Sequence, residues 1–515
     1  MAILVGIDVG TTNSKAIALD AASGRTLASA QAPTPKSPRA ENRIEHDPEA
    51  LWFTTASLLR EVVAQVPQPD AIHGVAVSSV GEAGVCLDAQ GKPVAPVIAW
   101  NDPRTIEQEQ EWRQRVTAEE QFAISGLPPG HIFTLLKLMW IQKHMPEAWA
   151  RTRRWLSIAD YIAWRLCGVP ATSTSQACRT LAFDVGRLRW SKELCAAAGV
   201  SPALFADPVP AGQALGPVTA DAAAQSGLPR HTQVAAGGHD HVCAALAAGA
   251  FRPEIVLDST GTTEALLATV TRPHLDAATR QRELCCGCHV APGRYYLLAG
   301  VLGVGPLIDR LAQVVAPGTP LAAARERLTE LARASEPGAR GVRVLPFLAG
   351  AGAPARCPEA SASFLGLREH HTLADVARAT FEGLCHELRI LLEEMIAGAG
   401  ISSPTLRSVG GGAANEFWLQ LKADVTGCPV ERPVAREGGA LGAALLAGIG
   451  AGVFADAEAA YACVATPPAR WVPNPATHPG YTQRHRTVYL PLSRQARGLD
   501  PTLAVSPSSR EEIRS

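Results

Sequence analysis

Carboxylates, glycine turns and hydroxyls recur in this sequence in an arrangement that could move a phosphoryl group. Asp8-Val9-Gly10-Thr11-Thr12-Asn13 ends one short apolar run, Asp258-Ser259-Thr260-Gly261-Thr262-Thr263 ends another about 250 residues later, and Gly410-Gly411-Gly412 follows Val409. Tight Gly/Thr turns offer backbone N–H groups and hydroxyls with little bulk, as polyphosphate oxygens require. Phosphoryl transfer also needs a divalent cation, a carboxylate to hold it, and a carboxylate to orient or deprotonate the attacking hydroxyl. Asp8 suits the first carboxylate, and Asp240, within Gly237-Gly238-His239-Asp240-His241, suits the second. The other local role open to Asp240 is capping a small-residue helix over 242–250. His239 and His241 read as hydrogen-bonding neighbours rather than metal ligands. In a further cluster, Glu82, Asn101, Asp102 and Arg104 could bond several hydroxyls while Trp100 stacks on a sugar face; a charged surface loop is the alternative.

The elements around these residues read as α/β. Three strands with tight turns are expected over 3–8, 15–20 and 25–31, followed by a helix over 48–64 and strands over 72–78 and 94–100. A meander of this kind is not the βαβ start of a dinucleotide fold. No Gly-x4-Gly-Lys-Ser/Thr pattern and no Gly-x-Gly-x-x-Gly opening a βαβ unit occurs, which speaks against P-loop and dinucleotide enzymes. The two Gly-Thr-Thr turns, each between expected strands, suggest that two halves repeat one strand–turn–strand device. Thr372 and Asp375 have capping-box spacing ahead of a long apolar stripe, and Gly398 and Gly400 are expected to end that helix. A further helix starts near Asn415, and from about Leu492 the chain reads as a disordered polar tail.

At 515 residues the chain is long enough for two or three cores, and its net charge of −1 provides no global field for nucleic acid or anionic membrane. The start lacks a basic, apolar secretory leader and no run of about 18 apolar residues occurs, so a cytoplasmic protein is expected. Twelve scattered cysteines fit reduced thiols. The run Cys285-Cys286-Gly287-Cys288-His289 packs its would-be ligands too closely for a second chelating pair, so buried or loop thiols are the expectation.

At these residues the sequence resembles the FGGY family of carbohydrate kinases, over about residues 3–485. Ala362-x-Phe364-x-Gly366-Leu367, followed after seven intervening residues by Asp375-Val376-x-x-Ala379-Thr380-Phe381-Glu382, is similar to the family's C-terminal signature. Thr134-x-x-Lys137-Leu138-x-Trp140-Ile141-x-Lys143-His144 is similar to its N-terminal one, with Ile132 departing at the first position. Gly410-Gly411-Gly412-Ala413-Ala414-Asn415, then Pro429 and Pro433, then Glu437-x-x-Ala440-Leu441-Gly442-Ala443-Ala444, resembles the adenosine-side segment.

The resemblance implies a two-lobed actin-like ATPase (ribonuclease H-like) fold of duplicated domains around a nucleotide cleft. Its divisions would be 1–246 for sugar binding and the catalytic base, 247–485 for adenosine, and a polar tail over 486–515. It implies ATP-dependent phosphorylation of a sugar, with Asp240 as general base and Mg²⁺ at Asp8 and Asp240. Thr11, Thr12, Asn13 and Lys15 would line the phosphate site, with Thr260, Gly261 and Thr262 across the cleft. Gly303, Gly411, Gly412 and Asn415 would complete the nucleotide side. The acceptor would lie against Gly81, Glu82, Trp100, Asn101, Asp102, Arg104, Asp240 and His241. Xylulokinases of the family usually carry Met-His where Gly81-Glu82 stands, and glycerol kinases carry Arg-Glu. Trp100-Asn101-Asp102 is similar to the xylulokinase loop, whereas Pro103-Arg104-Thr105, Ala123-Ile124-Ser125-Gly126 and Gly238-His239-Asp240 are similar to fuculokinases. A xylulose-, ribulose- or fuculose-like ketose is therefore expected. The alternatives are a glycerol- or erythritol-type polyol kinase and a non-catalytic, sugar-sensing ATPase of the same fold. The partners implied are sugar and ATP, with no nucleic acid or membrane, in a homodimer.

Overall fold

The apolar run at the start of the chain forms the centre of a six-stranded sheet. A computed structural model describes residues 2–37, 43–434 and 438–498. Ile3–Val9 pairs antiparallel with Asn13–Asp20, which pairs antiparallel with Thr26–Pro33. The first hairpin is closed at Gly10, whose N–H donates to the Asn13 carbonyl at 3.1 Å. On its other side Ile3–Val9 pairs parallel with Ile72–Ser79, then comes Gln233–His239, also parallel, with Ala214–Pro217 antiparallel at the edge. Strands buried on both faces read as continuous apolar runs, which is why this part was legible. Helix Pro48–Gln65 follows as expected, its N-terminus capped by the Asp47 carboxylate. The strand expected over 94–100 shrinks to Val97–Ile98, paired with Glu45–His46. Pro93 and Pro96 lack the N–H groups that a longer ladder would need.

The second sheet repeats the first strand for strand. Ile255–Thr260 pairs antiparallel with Glu264–Val270, which pairs antiparallel with Tyr295–Val301. Ile255–Thr260 also pairs parallel with Thr405–Val409, followed by parallel Val430–Arg432 and antiparallel Ala469–Trp471. The order and sense of six strands are thus the same in both halves, and Cys285–Cys288 adds a seventh at the edge. The registers repeat as well: Asp8 pairs with Ser78 in the first sheet and Asp258 with Ser408 in the second.

Between the sheets lie two helices, Asp240–Ala247 and Gly438–Gly450. One apolar cluster joins Leu4 and Ile17 of the first sheet to Val242, Leu246, Ala440 and Leu445 of these helices and to Leu257 and Leu267 of the second sheet. Small residues let the layers close. A Cβ on Gly6 would lie 1.9 Å from the Ala440 carbonyl oxygen, and one on Gly442 would lie 2.0 Å from that of Cys243. Gly438–Gly450 follows Glu437 in sequence; Glu437 itself lies outside the described residues. No described helix is long and apolar enough to cross a membrane.

Thr372 and Asp375 form the expected capping box of helix Leu373–Ala399. Gly400, in the left-handed region, ends it; Gly398 lies inside the last turn instead of terminating it. The tail expected from about Leu492 is in part a helix, Leu490–Ala496, preceded by a wide turn over His485–Tyr489. Arg497 explains the order. Its buried guanidinium donates to the Glu387 carboxylate at 2.6 Å and to the carbonyls of Gly352 and Pro354 at 2.6 Å each, contacts that local sequence does not reveal. Residues 499–515 of that expected tail lie outside the described residues. Truncating one partner of such a pair strands the other, so Arg497→Ala should cost about 3–5 kcal/mol in urea unfolding, and a loss under about 1 kcal/mol would contradict this account.

Candidate active site

Three parallel strands of the first sheet end on one edge and place their carboxylates together there. Asp8, next to last in Ile3–Val9, accepts a hydrogen bond from the Ser78 hydroxyl at 2.7 Å. Gln233–His239 ends immediately before Asp240, which opens the following helix. Asp240 is not that helix's N-cap, which is His239; its carboxylate accepts the His241 N–H at 2.6 Å. Burial and the neighbouring Asp240 charge push the Asp8 carboxyl up to about 7. Burial, with Glu82 nearby, pushes Asp240 up to about 7 as well. His239 approaches Asp240 at 3.3 Å, and burial holds both His239 and His241 below the usual imidazole range, hence neutral.

Glu82 follows the third of these strands and takes a left-handed backbone, φ 60°. Its carbonyl is held by the Thr134 hydroxyl at 3.2 Å and the Lys137 ammonium at 2.9 Å, both from helix Thr134–His144. The N-terminal signature thus pins a strained residue in place. The Glu82 carboxylate accepts from Arg179 Nε at 2.6 Å, and Arg179 Nη2 also contacts it. Trp100 Nε1 donates to the Thr11 hydroxyl at 3.0 Å and so ties the loop after Val97–Ile98 to the first glycine turn. Asp102 and Arg104 are spent on each other: Arg104 donates to Asp102 at 2.8 and 2.7 Å and to Glu45 at 2.6 Å, with Trp140 beneath the guanidinium. Their side chains therefore hold the loop, while Asn101 is exposed. In the hairpin, Lys15 pairs in register with Asp8, and Thr12 accepts the Thr34 N–H through its carbonyl.

Across the cleft, Thr260, Gly261, Thr262, Gly411, Gly412 and Asn415 line one cavity of about 660 Å³. That lies within the usual range for a small-molecule site. Phe381 and Trp418 supply its aromatic surface and Arg325 and Arg333 its positive charge. Asn415 also has structural duties, capping the next helix through the Trp418 N–H and donating to the Thr329 hydroxyl at 3.0 Å. Gly303 caps helix Val304–Val315 in the left-handed region; Gly305 and Pro306, one turn on, reach the cavity wall. The Thr260 turn rests on Lys422, whose buried ammonium donates to Asp258 at 2.6 Å and Thr260 at 2.7 Å and also contacts Glu264. Sequence reasoning passed over Arg179, Lys422 and Ser78. Only the pairing of Asp8-Val9-Gly10 with Asp258-Ser259-Thr260 hinted that Asp258 would need a partner.

Comparison with known proteins agrees with this architecture. Residues 3–247 match the model for the N-terminal domain of the FGGY family of carbohydrate kinases, and residues 257–451 match its C-terminal domain. A xylulose kinase of Staphylococcus epidermidis is 29% identical over 97% of this chain and 98% of its own length. A glycerol kinase of Methylibium petroleiphilum is 32% identical over 89% of this chain and 92% of its own. The crystal structure of xylulose kinase from Rhodospirillum rubrum superposes with a TM-score of 0.88 at 27% identity, covering 96% of this chain and 99% of that one. The two duplicated lobes are those of the actin-like ATPase fold. The chain belongs to the FGGY family of carbohydrate kinases and is a phosphotransferase acting on an alcohol group.

Proposed function

We propose that this enzyme transfers the terminal phosphoryl group of ATP to a hydroxyl of a ketose such as xylulose, with Asp240 as general base. The observation that carries the reading is the placement of Asp240 beside Asp8 and Glu82 on the sheet edge, its carboxyl pushed up to about 7. A base of that strength is matched to a hydroxyl proton near neutral pH. The ketose assignment is supported by relatives named xylulose kinase along 94–97% of the chain. A glycerol-like polyol is the second reading, favoured by Glu82 and its guanidinium partner and by relatives named glycerol kinase. ATP is abundant in the cytoplasm, and we place an enzyme that draws on it there.

In this reading ATP lies in the 660 Å³ cavity with its phosphates between the Thr260 and Gly10 turns. The acceptor hydroxyl gives its proton to Asp240 as its oxygen bonds the terminal phosphorus, and the bond from that phosphorus to ADP breaks. Lobe closure excludes water that would otherwise take the phosphoryl group. Asp8 and Asp240 also fit Mg²⁺. Two crowded carboxylates without a third acidic, histidine or cysteine ligand among the described residues suit an ion that keeps several waters and takes phosphate oxygens. When bound, Mg²⁺ would neutralise charge gathering on the phosphates.

Coupled ADP release with Mg-ATP should rise on adding one of D-xylulose, D-ribulose or glycerol, and Asp240→Asn should lose about 10²- to 10⁴-fold in kcat. A folded enzyme that binds ATP but responds to none of these would contradict the proposal and favour the sugar-sensing reading. Stability supplies a second check. The Asp240 carboxyl binds its proton more tightly folded, about 7, than unfolded, 3.8, so ionising it opposes folding increasingly from pH 4 to 7 and fully above. Asp240→Asn should therefore raise Tm at pH 8, and that gain should vanish by pH 4. Mg²⁺ should raise the Tm of the parent enzyme at pH 8 and that of the variant less; a Mg²⁺ shift equal in both would remove Asp240 from the metal site.

A further inference from the structure

Thr260 supports two of the glycine turns on the wall of the 660 Å³ cavity. It opens the turn at Gly261, and a Cβ on Gly410 would lie 2.5 Å from its carbonyl oxygen and one on Gly412 2.5 Å from its methyl group. Its place therefore sets the place of both. Thr260 is 1% exposed, and its hydroxyl is engaged on the inner side: it accepts from the Lys422 ammonium at 2.7 Å and has Glu264 Oε1 at 3.1 Å and Asp258 Oδ1 at 3.3 Å to donate to. A hydroxyl has one proton, and this one is spent inward. Thr262, on the same wall, is exposed and its hydroxyl makes no hydrogen bond among the described residues. The cluster behind Thr260 is unbalanced, since two buried carboxylates, Asp258 and Glu264, face one buried ammonium. Asp258 also receives the Ser408 hydroxyl, whereas Glu264 Oε2 has no donor among the described residues. A proton entering the cluster therefore goes to Glu264. Burial, opposed by the Lys422 charge and aided by that of Asp258, pushes its carboxyl up to about 7. From the other packed elements, strand Tyr295–Val301 sets apolar Val301 opposite Glu264, and helix Leu373–Ala399 brings Cys385, whose thiol burial holds well above its usual range, and Glu382, which is paired with Arg378.

We propose that Lys422 and Glu264 are positioning residues of the nucleotide cavity: they draw the Thr260 hydroxyl inward, fix the turns at Gly261 and Gly411, and leave Thr262 to meet phosphate oxygens. Neither touches the nucleotide. With a proton on Glu264 the cluster is neutral; when that proton leaves, one negative charge stands behind a site for a polyanion and weakens its binding. The assignment rests on the kinase reading above, in which that polyanion is the triphosphate of ATP.

The test is calorimetric titration with Mg-ATP at pH 6 and pH 8.5 in the parent enzyme, Glu264→Gln, Thr262→Val and the charge-balanced Asp258→Asn/Lys422→Met, each checked for a cooperative melt. ATP, Asp8 and Asp240 titrate over the same range but are common to parent and Glu264→Gln, so the ratio of their Kd values isolates Glu264. Between pH 6 and pH 8.5 the parent Kd should rise relative to that of Glu264→Gln by roughly three- to tenfold. The double variant removes the clamp without altering net charge and should weaken ATP roughly 10- to 100-fold at pH 6, with acceptor KM at saturating ATP within about twofold. Thr262→Val should weaken ATP at both pH values. Without nucleotide, Glu264→Gln should gain Tm over the parent increasingly from pH 5 to pH 8.5, because ionising a carboxyl that holds its proton more tightly folded than unfolded opposes folding. Equal pH dependence of Kd in parent and Glu264→Gln overturns the charge role, and an ATP Kd unchanged in the folded double variant overturns the positioning role. If the parent binds no ATP at either pH, it is the kinase reading that fails, while the nucleotide-free melts still report the proton on Glu264.

Discussion

Two half-buried aspartates held close together are the constraint around which this molecule is arranged. Burial raises the proton affinity of both Asp8 and Asp240; the Asp240 charge adds to it at Asp8, and the Glu82 charge at Asp240. Neither would gather there by local preference. They meet because Ile3–Val9, Ile72–Ser79 and Gln233–His239 run parallel and end on the same edge, the place where open α/β sheets collect ligands. The Ser78 hydroxyl on the neighbouring strand donates to Asp8 and the His241 N–H of the following helix donates to Asp240, which orients the two carboxylates.

The second sheet answers the same problem in the opposite way. Asp258 occupies the position of Asp8 and takes its hydrogen bond from Ser408 in place of Ser78. There the protein provides its own cation: Lys422 reaches in from helix Glu416–Thr426 and holds Asp258, Thr260 and Glu264 together. A fully buried ion pair of this kind is weak evidence for stability and better understood as fixing geometry. One copy of the device leaves its aspartate with a serine hydroxyl as partner, and the other uses it, through Lys422, to hold a glycine turn rigid against the 660 Å³ cavity. Duplication of the strands has been followed by division of labour at equivalent positions.

What the sequence made legible was local. Apolar runs marked the strands from Ile3 and Ile72, Asp47-Pro48 and Thr372 marked helix starts, and glycine with threonine marked the turns. Residues that act across the chain were not legible: Arg179 meets Glu82 over 97 positions, and Lys422 meets Asp258 over 164. The short strand Val97–Ile98 and the helix Leu490–Ala496 were misjudged for related reasons. In one, prolines outweighed an apolar pattern; in the other, Glu387 and the Gly352 carbonyl, more than a hundred residues away, gave a polar segment its partners. The loop from Trp100 to Arg104 stood out by composition as a candidate for binding hydroxyls, yet Asp102 and Arg104 hold one another.

Helix Gly438–Gly450 lies against Ile3–Val9, with Ala440 over Gly6, although more than four hundred residues separate them. During synthesis the first sheet must therefore leave the ribosome with one face bare and wait for almost the whole chain before it is covered. Contacts so distant in sequence form late and slowly, and apolar surface exposed in the meantime invites association. The first lobe, which carries the proposed catalytic base, is in this sense completed by the last part of the second, and the two become a working enzyme in a single late step.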